Sequence, residues 1–336
     1  MAKRASKIIN LAVAALAAEI KAGKRQALAR AITLVESNRA DHQEDAQRLL
    51  LQLMPGEEGA VRVGITGVPG VGKSTFIEAL GSRLTAEGHR VAVLAIDPTS
   101  SRSGGSILGD KTRMQKLANN PDAFVRPSPT GGKLGGVTAK TREAMVLCEA
   151  AGYDVILVET VGTGQSEILV ADMVDFFLLL MLPGAGDELQ GIKKGVLELA
   201  HMIVINKAEE ENARAVTQAV RELRGALRIL HPADAAWKPP VLTSSALHDQ
   251  GLAEIWREIG KFVEASKASG DWAKRRREQT VRWMWDQVEE SVLRSFRGDV
   301  QVAALISEVE AGLLEGQLTP TLGAEQLLKA FRRGEK

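Results

Sequence analysis

Val61-Arg62-Val63-Gly64-Ile65-Thr66-Gly67-Val68-Pro69-Gly70-Val71-Gly72-Lys73-Ser74-Thr75 is the stretch that decides the fold. A β-rich run, Val61 to Thr66, feeds into Gly67-x4-Gly72-Lys73-Ser74, and a helical pattern follows from Thr75 to Leu84. Strand, glycine-rich turn and helix in that order are the context a phosphate-binding loop requires. The glycines let the segment Gly67, Val68, Pro69, Gly70, Val71, Gly72 curl so that backbone N–H groups face phosphate oxygens. The helix start at Lys73, Ser74 and Thr75 adds partial positive charge. Lys73 neutralises the outer phosphate oxygens, and the Ser74 hydroxyl is a hard-oxygen ligand for Mg²⁺.

Strand-like and helical runs alternate downstream of this loop. Arg90 to Ile96, Ala123 to Arg126, Asp154 to Glu159, Phe176 to Leu182, His201 to Asn206 and Val241 to Thr243 are short, apolar and rich in β-branched residues. Continuous apolar strands separated by helices predict a mostly parallel sheet covered on both faces, an α/β P-loop NTPase fold. In such sheets ligands bind beyond the carboxyl ends of the strands, which is where most of these runs stop in polar residues. Upstream, residues 1 to about 55 read as helices. Downstream, Asp271 to Arg297 reads as one long helix carrying Trp272, Trp283, Trp285 and Phe296, followed by two more helices. The expected organisation is an N-terminal helical extension (1–58), a P-loop domain (59–265) and a C-terminal helical arm (266–336). The arm's aromatic surface favours packing on another subunit, with packing on its own domain as the alternative. Arg275-Arg276-Arg277 reads as a solvated helix face.

Composition sets the outer limits. The 336 residues are 45% hydrophobic and 25% charged, with a formal net charge of +1, so bulk charge points to neither nucleic acid nor an anionic membrane. Cys148 is the single cysteine, which excludes an intramolecular disulfide. Lys3, Arg4 and Lys7 before the apolar run Ile8 to Ala18 mimic a short secretory signal, but helical periodicity resumes at Leu28, Ala31, Ile32 and Val35. The expected location is the cytoplasm. A mitochondrial matrix origin is the lesser alternative, because Glu19 interrupts a transit-peptide pattern.

Magnesium bound to nucleotide keeps several waters, which protein carboxylates hold. Asp97 and Glu159 end strands, and Asp110 lies in a glycine-rich loop. Glu159 is the strongest of these candidates, because Gly162 follows at the offset that lets a backbone N–H reach the γ-phosphate. The candidate catalytic set is therefore Lys73, Asp97 and Glu159, with Gln165 as a water-positioning candidate; Thr163, not glutamine, directly follows Gly162. For the base, Asn206-Lys207-Ala208-Glu209 follows an apolar strand where guanine-specific proteins carry Asn-Lys-x-Asp. A carboxylate there accepts from guanine N1–H and the exocyclic amine, which adenine cannot supply. Ser245, Ala246 and Leu247 follow the last strand, where GTPases set a loop against the guanine carbonyl. Together they favour GTP over ATP.

These pieces together resemble the MeaB/ArgK/MMAA group of G proteins, chaperones of adenosylcobalamin-dependent acyl-CoA mutases. The resemblance is carried by Gly23-Lys24-Arg25 with Ala27 to Glu36, by Gly64 to Thr75, by Asp97 to Met114, by Glu159-Thr160-Val161-Gly162-Thr163-Gly164-Gln165-Ser166-Glu167, and by Pro183 to Gly195. It implies a homodimer held by the C-terminal arm, Asp97, Asp110 and Glu159 near Mg²⁺, and slow GTP hydrolysis that the mutase accelerates, with adenosylcobalamin reached only through that partner. Glu209 departs from the family's aspartate, which bears on guanine discrimination and not on the phosphate site. The glycine-rich, charged loop Gly184 to Gly195 suits a switch in which Asp187, Gln190 and Lys193 are reorganised by the mutase; a plain helix start capped by Asp187 is the alternative. Rival functions are a metal-insertion GTPase, which lacks clustered ligands here because His42, His89, His201, His231 and His248 are scattered, and a kinase, which needs a second substrate pocket.

Overall fold

The computed structural model describes residues 2–54, 56, 59–96, 114–128, 134–160, 166–184, 194–232 and 235–334. Seven strands form one sheet: β1 (Val61–Gly67), β2 (Val91–Ile96), β3 (Ala123–Ser128), β4 (Val155–Thr160), β5 (Phe176–Met181), β6 (Met202–Ile205) and β7 (Val241–Thr243). Their order is β3-β2-β4-β1-β5-β6-β7, and every neighbouring pair is parallel. The expected α/β architecture is thus present, with strand ends within one or two residues of the apolar runs. Pro127 sits in β3, an edge strand, where its missing N–H removes no ladder bond.

Strand alternation sorts the core into two layers. Along β5, Phe177, Leu179 and Met181 face one layer, and Phe176, Leu178 and Leu180 face the other. The first layer is covered by α1 (Ala2–Lys21), α2 (Arg25–Glu36) and α3 (Ala40–Leu53) together with α6 (Leu134–Ala150), α7 (Ser166–Ala171), α8 (Lys194–Leu199) and α9 (Ala213–Leu230). The second is covered by α4 (Lys73–Ala86), α5 (Gln115–Asn119) and α10 (Leu252–Ser269). The N-terminal helices are therefore part of the main core: Ile20, Leu28, Ile32 and Leu49 are fully buried.

The chain divides into two compact units, Met1–Gln279 and Thr280–Lys336. Helix α11 (Asp271–Gly298) starts in the first and ends in the second. Its first turns correct two expectations. Trp272 is buried in the second core layer, so it packs on its own domain. The arginine run is not a solvated face. Arg276 bonds buried Asp175 through Nε at 2.9 Å and Nη2 at 2.6 Å, donates to the Ala60 carbonyl at 2.6 Å and stacks over Trp272. Arg275 donates to the Asp175 carbonyl at 2.8 Å; Arg277 alone of the three is exposed. Asp175 requires these partners because a carboxylate at 2% exposure is costly unless paired. The second unit packs α12 (Val300–Leu314) against α13 (Pro320–Gly334), with Asp299 capping α12 and Phe296 edge-on to Phe331. Val281, Met284, Trp285, Val288 and Val292 form an exposed apolar stripe along α11. No helix among the described residues is long and apolar enough to cross a membrane.

Candidate active site

The glycine-rich loop leaves the carboxyl end of β1, the strand between β4 and β5. Gly67 sits at φ +154°, and a Cβ there would lie 2.5 Å from the Leu180 carbonyl. Gly72 caps α4 in the left-handed region at φ +92°, and a Cβ would lie 2.9 Å from Asn206 Nδ2. Both positions therefore need glycine. Pro69 and Gly70 form the exposed tip, Val71 anchors the loop in the core, and Val68 is partly buried between them. Lys73 and Ser74 open α4, which aims the helix N-terminus at the loop's concave side.

Lys73 is 8% exposed, and its ammonium donates to the Gly67 carbonyl at 2.8 Å and the Val68 carbonyl at 3.2 Å. Burial holds its pKa below the ordinary lysine value, opposed by the charges of Glu159 and Glu167. Ser74 Oγ donates to Glu159 Oε1 at 3.0 Å. A hydroxyl and a carboxylate oxygen thus meet at the helix start beside a buried cation. Both are hard-oxygen donors of the kind Mg²⁺ takes, so the residues present fit that ion. Glu159 is the penultimate residue of β4, at 8% exposure. Glu167, 6% exposed on the first turn of α7, is a carboxylate of this site to which the sequence reading assigned no role. Its sequence signal was present, a carboxylate at a helix start beyond a carboxyl-end loop, within the quoted motif. Asp97, Asp110, Gly162, Gln165, Asp187, Gln190 and Lys193 lie outside the described residues.

The base-side residues converge on a cavity of ≈ 760 Å³ lined by Gly72, Thr75, Asn206, Lys207, Glu209 and Leu247, among others. Asn206, 2% exposed at the end of β6, is the hub. Its Nδ2 donates to the Val71 carbonyl at 2.9 Å, and its Oδ1 accepts from Ser244 Oγ at 3.0 Å and the Ala246 backbone N–H at 3.3 Å. One amide thereby ties the phosphate loop to both base loops. Lys207 takes a left-handed backbone, φ 58°, which turns the chain so that Glu209 reaches the cavity rim. There Glu209 Oε1 accepts from Ser245 Oγ at 2.7 Å. That hydrogen bond holds the Glu209 carboxyl below the usual carboxylate range. Leu247 is 75% exposed at the mouth, an apolar edge beside a polar floor.

Comparison with known proteins gives consistent matches. The model for the methylmalonyl-CoA mutase-associated GTPase MeaB family matches residues 28–301. A probable GTPase of Mycobacterium tuberculosis is 56% identical over 314 residues, 94% of each chain. GTPase ArgK of Escherichia coli is 47% identical, covering 92% of this chain and 93% of that one. A mitochondrial methylmalonic aciduria type A homolog of Mus musculus is 46% identical, covering 92% of this chain and 77% of that one. Among solved structures, a crystal structure named as an LAO/AO transport system kinase superposes with a TM-score of 0.75 at 40% identity, covering 95% of this chain and 97% of the other.

Proposed function

The chain belongs to the MeaB family of mutase-associated GTPases, and from that premise we propose that it couples GTP binding and hydrolysis to the loading, protection or repair of an adenosylcobalamin-dependent acyl-CoA mutase. The observation that carries the nucleotide half of this reading is the convergence on one carboxyl edge of Lys73, the Ser74–Glu159 pair and the Asn206–Glu209–Ser245 base floor. In this reading Lys73 leaves the loop carbonyls for the outer phosphate oxygens, and Asn206 keeps the base loops in register with the phosphate loop. Ser74 and Glu159 hold Mg²⁺, with Asp97 and Asp110 assigned to it on the motif alone. When bound, Mg²⁺ draws charge from the phosphate oxygens and so stabilises the leaving diphosphate. Gly162 contacts the γ-phosphate, and Gln165 orients water. Hydrolysis is slow alone and faster with the mutase, which acts through Asp187, Gln190 and Lys193. The exposed apolar stripe of α11 supports a homodimer through the C-terminal arm.

GTP and ATP turnover by the purified protein, alone and with candidate mutases, tests this reading. Slow GTP turnover raised about tenfold or more by a mutase, equivalent to about 1.4 kcal/mol of barrier, supports it. Equal use of ATP, or no response to any mutase, overturns the chaperone half. Transfer of phosphate to an acceptor other than water would move the chain to the kinase reading that the name of the solved relative carries.

A further inference from the structure

Thr66 and Thr160 are a hydroxyl pair buried in the middle of the sheet, at 1% and 0% exposure. Thr160 Oγ1 donates to Thr66 Oγ1 at 2.8 Å across 94 residues of sequence. Thr66 immediately precedes Gly67, and Thr160 immediately follows Glu159. The register between β1 and β4 ends one residue earlier, at Ile65↔Glu159. Beyond that rung β1 and β4 form no further register pair. Thr66 continues its ladder with Leu179 of β5, and Thr160 continues with Ile96 of β2. The hydroxyl bond therefore ties the residue before the phosphate loop to the residue after Glu159.

A Thr–Thr pair is an odd choice on stability grounds. Two valines have the same shape, and replacing both partners of a buried hydrogen bond by apolar groups is close to neutral or stabilising. The hydroxyls instead fix direction. In a strand, adjacent side chains point to opposite faces, so pinning Thr160 toward Thr66 sets the rotation of the Glu159 side chain on the other face. That face is where Glu159 Oε1 meets Ser74.

We infer that Thr160, through its bond to Thr66, is a positioning residue that couples the phosphate loop to Glu159 and so sets how readily the site takes Mg²⁺ with nucleotide. The inference rests on the magnesium reading proposed above and adds residues outside the ion's own donor set. Loss of the tie lets Glu159 rotate at its strand end, which weakens the ion's hold while leaving the base floor intact.

The test is a Mg²⁺ titration of binding of the full chain to a fluorescent non-hydrolysable GTP analogue, with urea denaturation in parallel. Thr160→Val is expected to raise the Mg²⁺ concentration at half-saturation by about tenfold, the equilibrium equivalent of one hydrogen bond. Thr160→Ser, which keeps the hydroxyl, is expected to stay within about twofold of the wild type. The double variant Thr66→Val with Thr160→Val leaves no orphaned hydroxyl, so it is expected to keep the wild-type urea midpoint and still show the raised Mg²⁺ requirement; it carries the test if a single variant folds poorly. A wild-type Mg²⁺ midpoint in the folded double variant overturns the coupling and leaves the magnesium reading standing. Analogue binding that is independent of Mg²⁺ in the wild type overturns both.

Discussion

Replacing Glu209 by alanine tests whether the longer carboxylate still reads guanine. Glu209 lies on the rim of the ≈ 760 Å³ cavity and is oriented by Ser245 Oγ at 2.7 Å. On the guanine assignment under test, its carboxylate would accept from the ring N1–H and the exocyclic amine. Hydrogen bonds to a charged group contribute about 1.5 kcal/mol or more each, so losing both is worth about 3 kcal/mol, on the order of a hundredfold in Kd. Adenine makes neither bond, so the loss falls on GTP and GDP alone. Ser245→Ala removes only the orienting bond, and about 1 kcal/mol, roughly fivefold, is expected. Because that bond lowers the Glu209 pKa, the carboxylate is ionised at and above its ordinary value of 4.5. Selectivity should be flat at neutral pH and fall only as the pH drops through the depressed value. Equilibrium binding of fluorescent GDP and ADP to the wild type, Glu209→Ala and Ser245→Ala reads all three effects. A Glu209→Ala variant that keeps the wild-type preference for GDP over ADP would refute the assignment and move base recognition to the backbone of Ala246 and Leu247.

Other consequences follow from the same geometry. Lys73→Ala should abolish measurable GTP turnover, read by phosphate release, because it removes the cation held at the start of the loop by the Gly67 and Val68 carbonyls. Asp175→Ala removes the buried carboxylate that partly buried Arg276 and the Arg62 N–H share, and should destabilise the first unit by about 3 kcal/mol in urea denaturation; a change below about 1 kcal/mol would show that water replaces the carboxylate. Glu143 has a raised pKa through burial, despite Lys140 and Gln47. A raised carboxylate is disfavoured above its folded pKa and neutral in both states below 4.5. Glu143→Gln should therefore raise Tm by about 2 °C at neutral pH, with the gain vanishing as the pH falls toward 4.5. Lys193→Ala should reduce mutase-stimulated turnover more than basal turnover, and an unchanged stimulation would remove Lys193 from the switch.

The parts of this fold that could be read in the sequence are those governed by local pattern. The six apolar runs and the β-rich run from Val61 to Thr66 became seven parallel strands because a strand buried on both faces must be apolar throughout. The gathering of Lys73, Ser74, Glu159, Asn206 and Glu209 at one edge of the sheet was legible because carboxyl-end placement is itself a sequence feature. What failed to show were pairings at long range. The arginines of α11 look like a charged face until Asp175, 101 residues away from Arg276, is brought beneath them. Trp272 looks like interface surface until the second core layer closes over it. Ser245 over Glu209, and Thr160 over Thr66, are small hydroxyls whose role depends on which strand end lies beside them. No periodicity encodes that.

On the proposed function, the state of Lys73 gives the loop a reason to take anionic ligands. Lys73 as a residue is 8% exposed, and its ammonium is met by two carbonyl oxygens at the loop's start. Glu159 and Glu167 both act to stabilise its charge, yet burial still outweighs them and its pKa stays below the ordinary lysine value. The protein's own groups therefore leave part of the desolvation of that cation uncompensated. A phosphate group supplies what is missing, since its oxygens carry full negative charge and can sit on the N–H groups of α4's first turn as well. The two carboxylates then face those oxygens with like charge, an arrangement that is unfavourable unless a divalent cation lies between them. If Ser74 and Glu159 hold Mg²⁺ as proposed, the same electrostatic balance predicts that nucleotide without Mg²⁺ binds weakly to this loop.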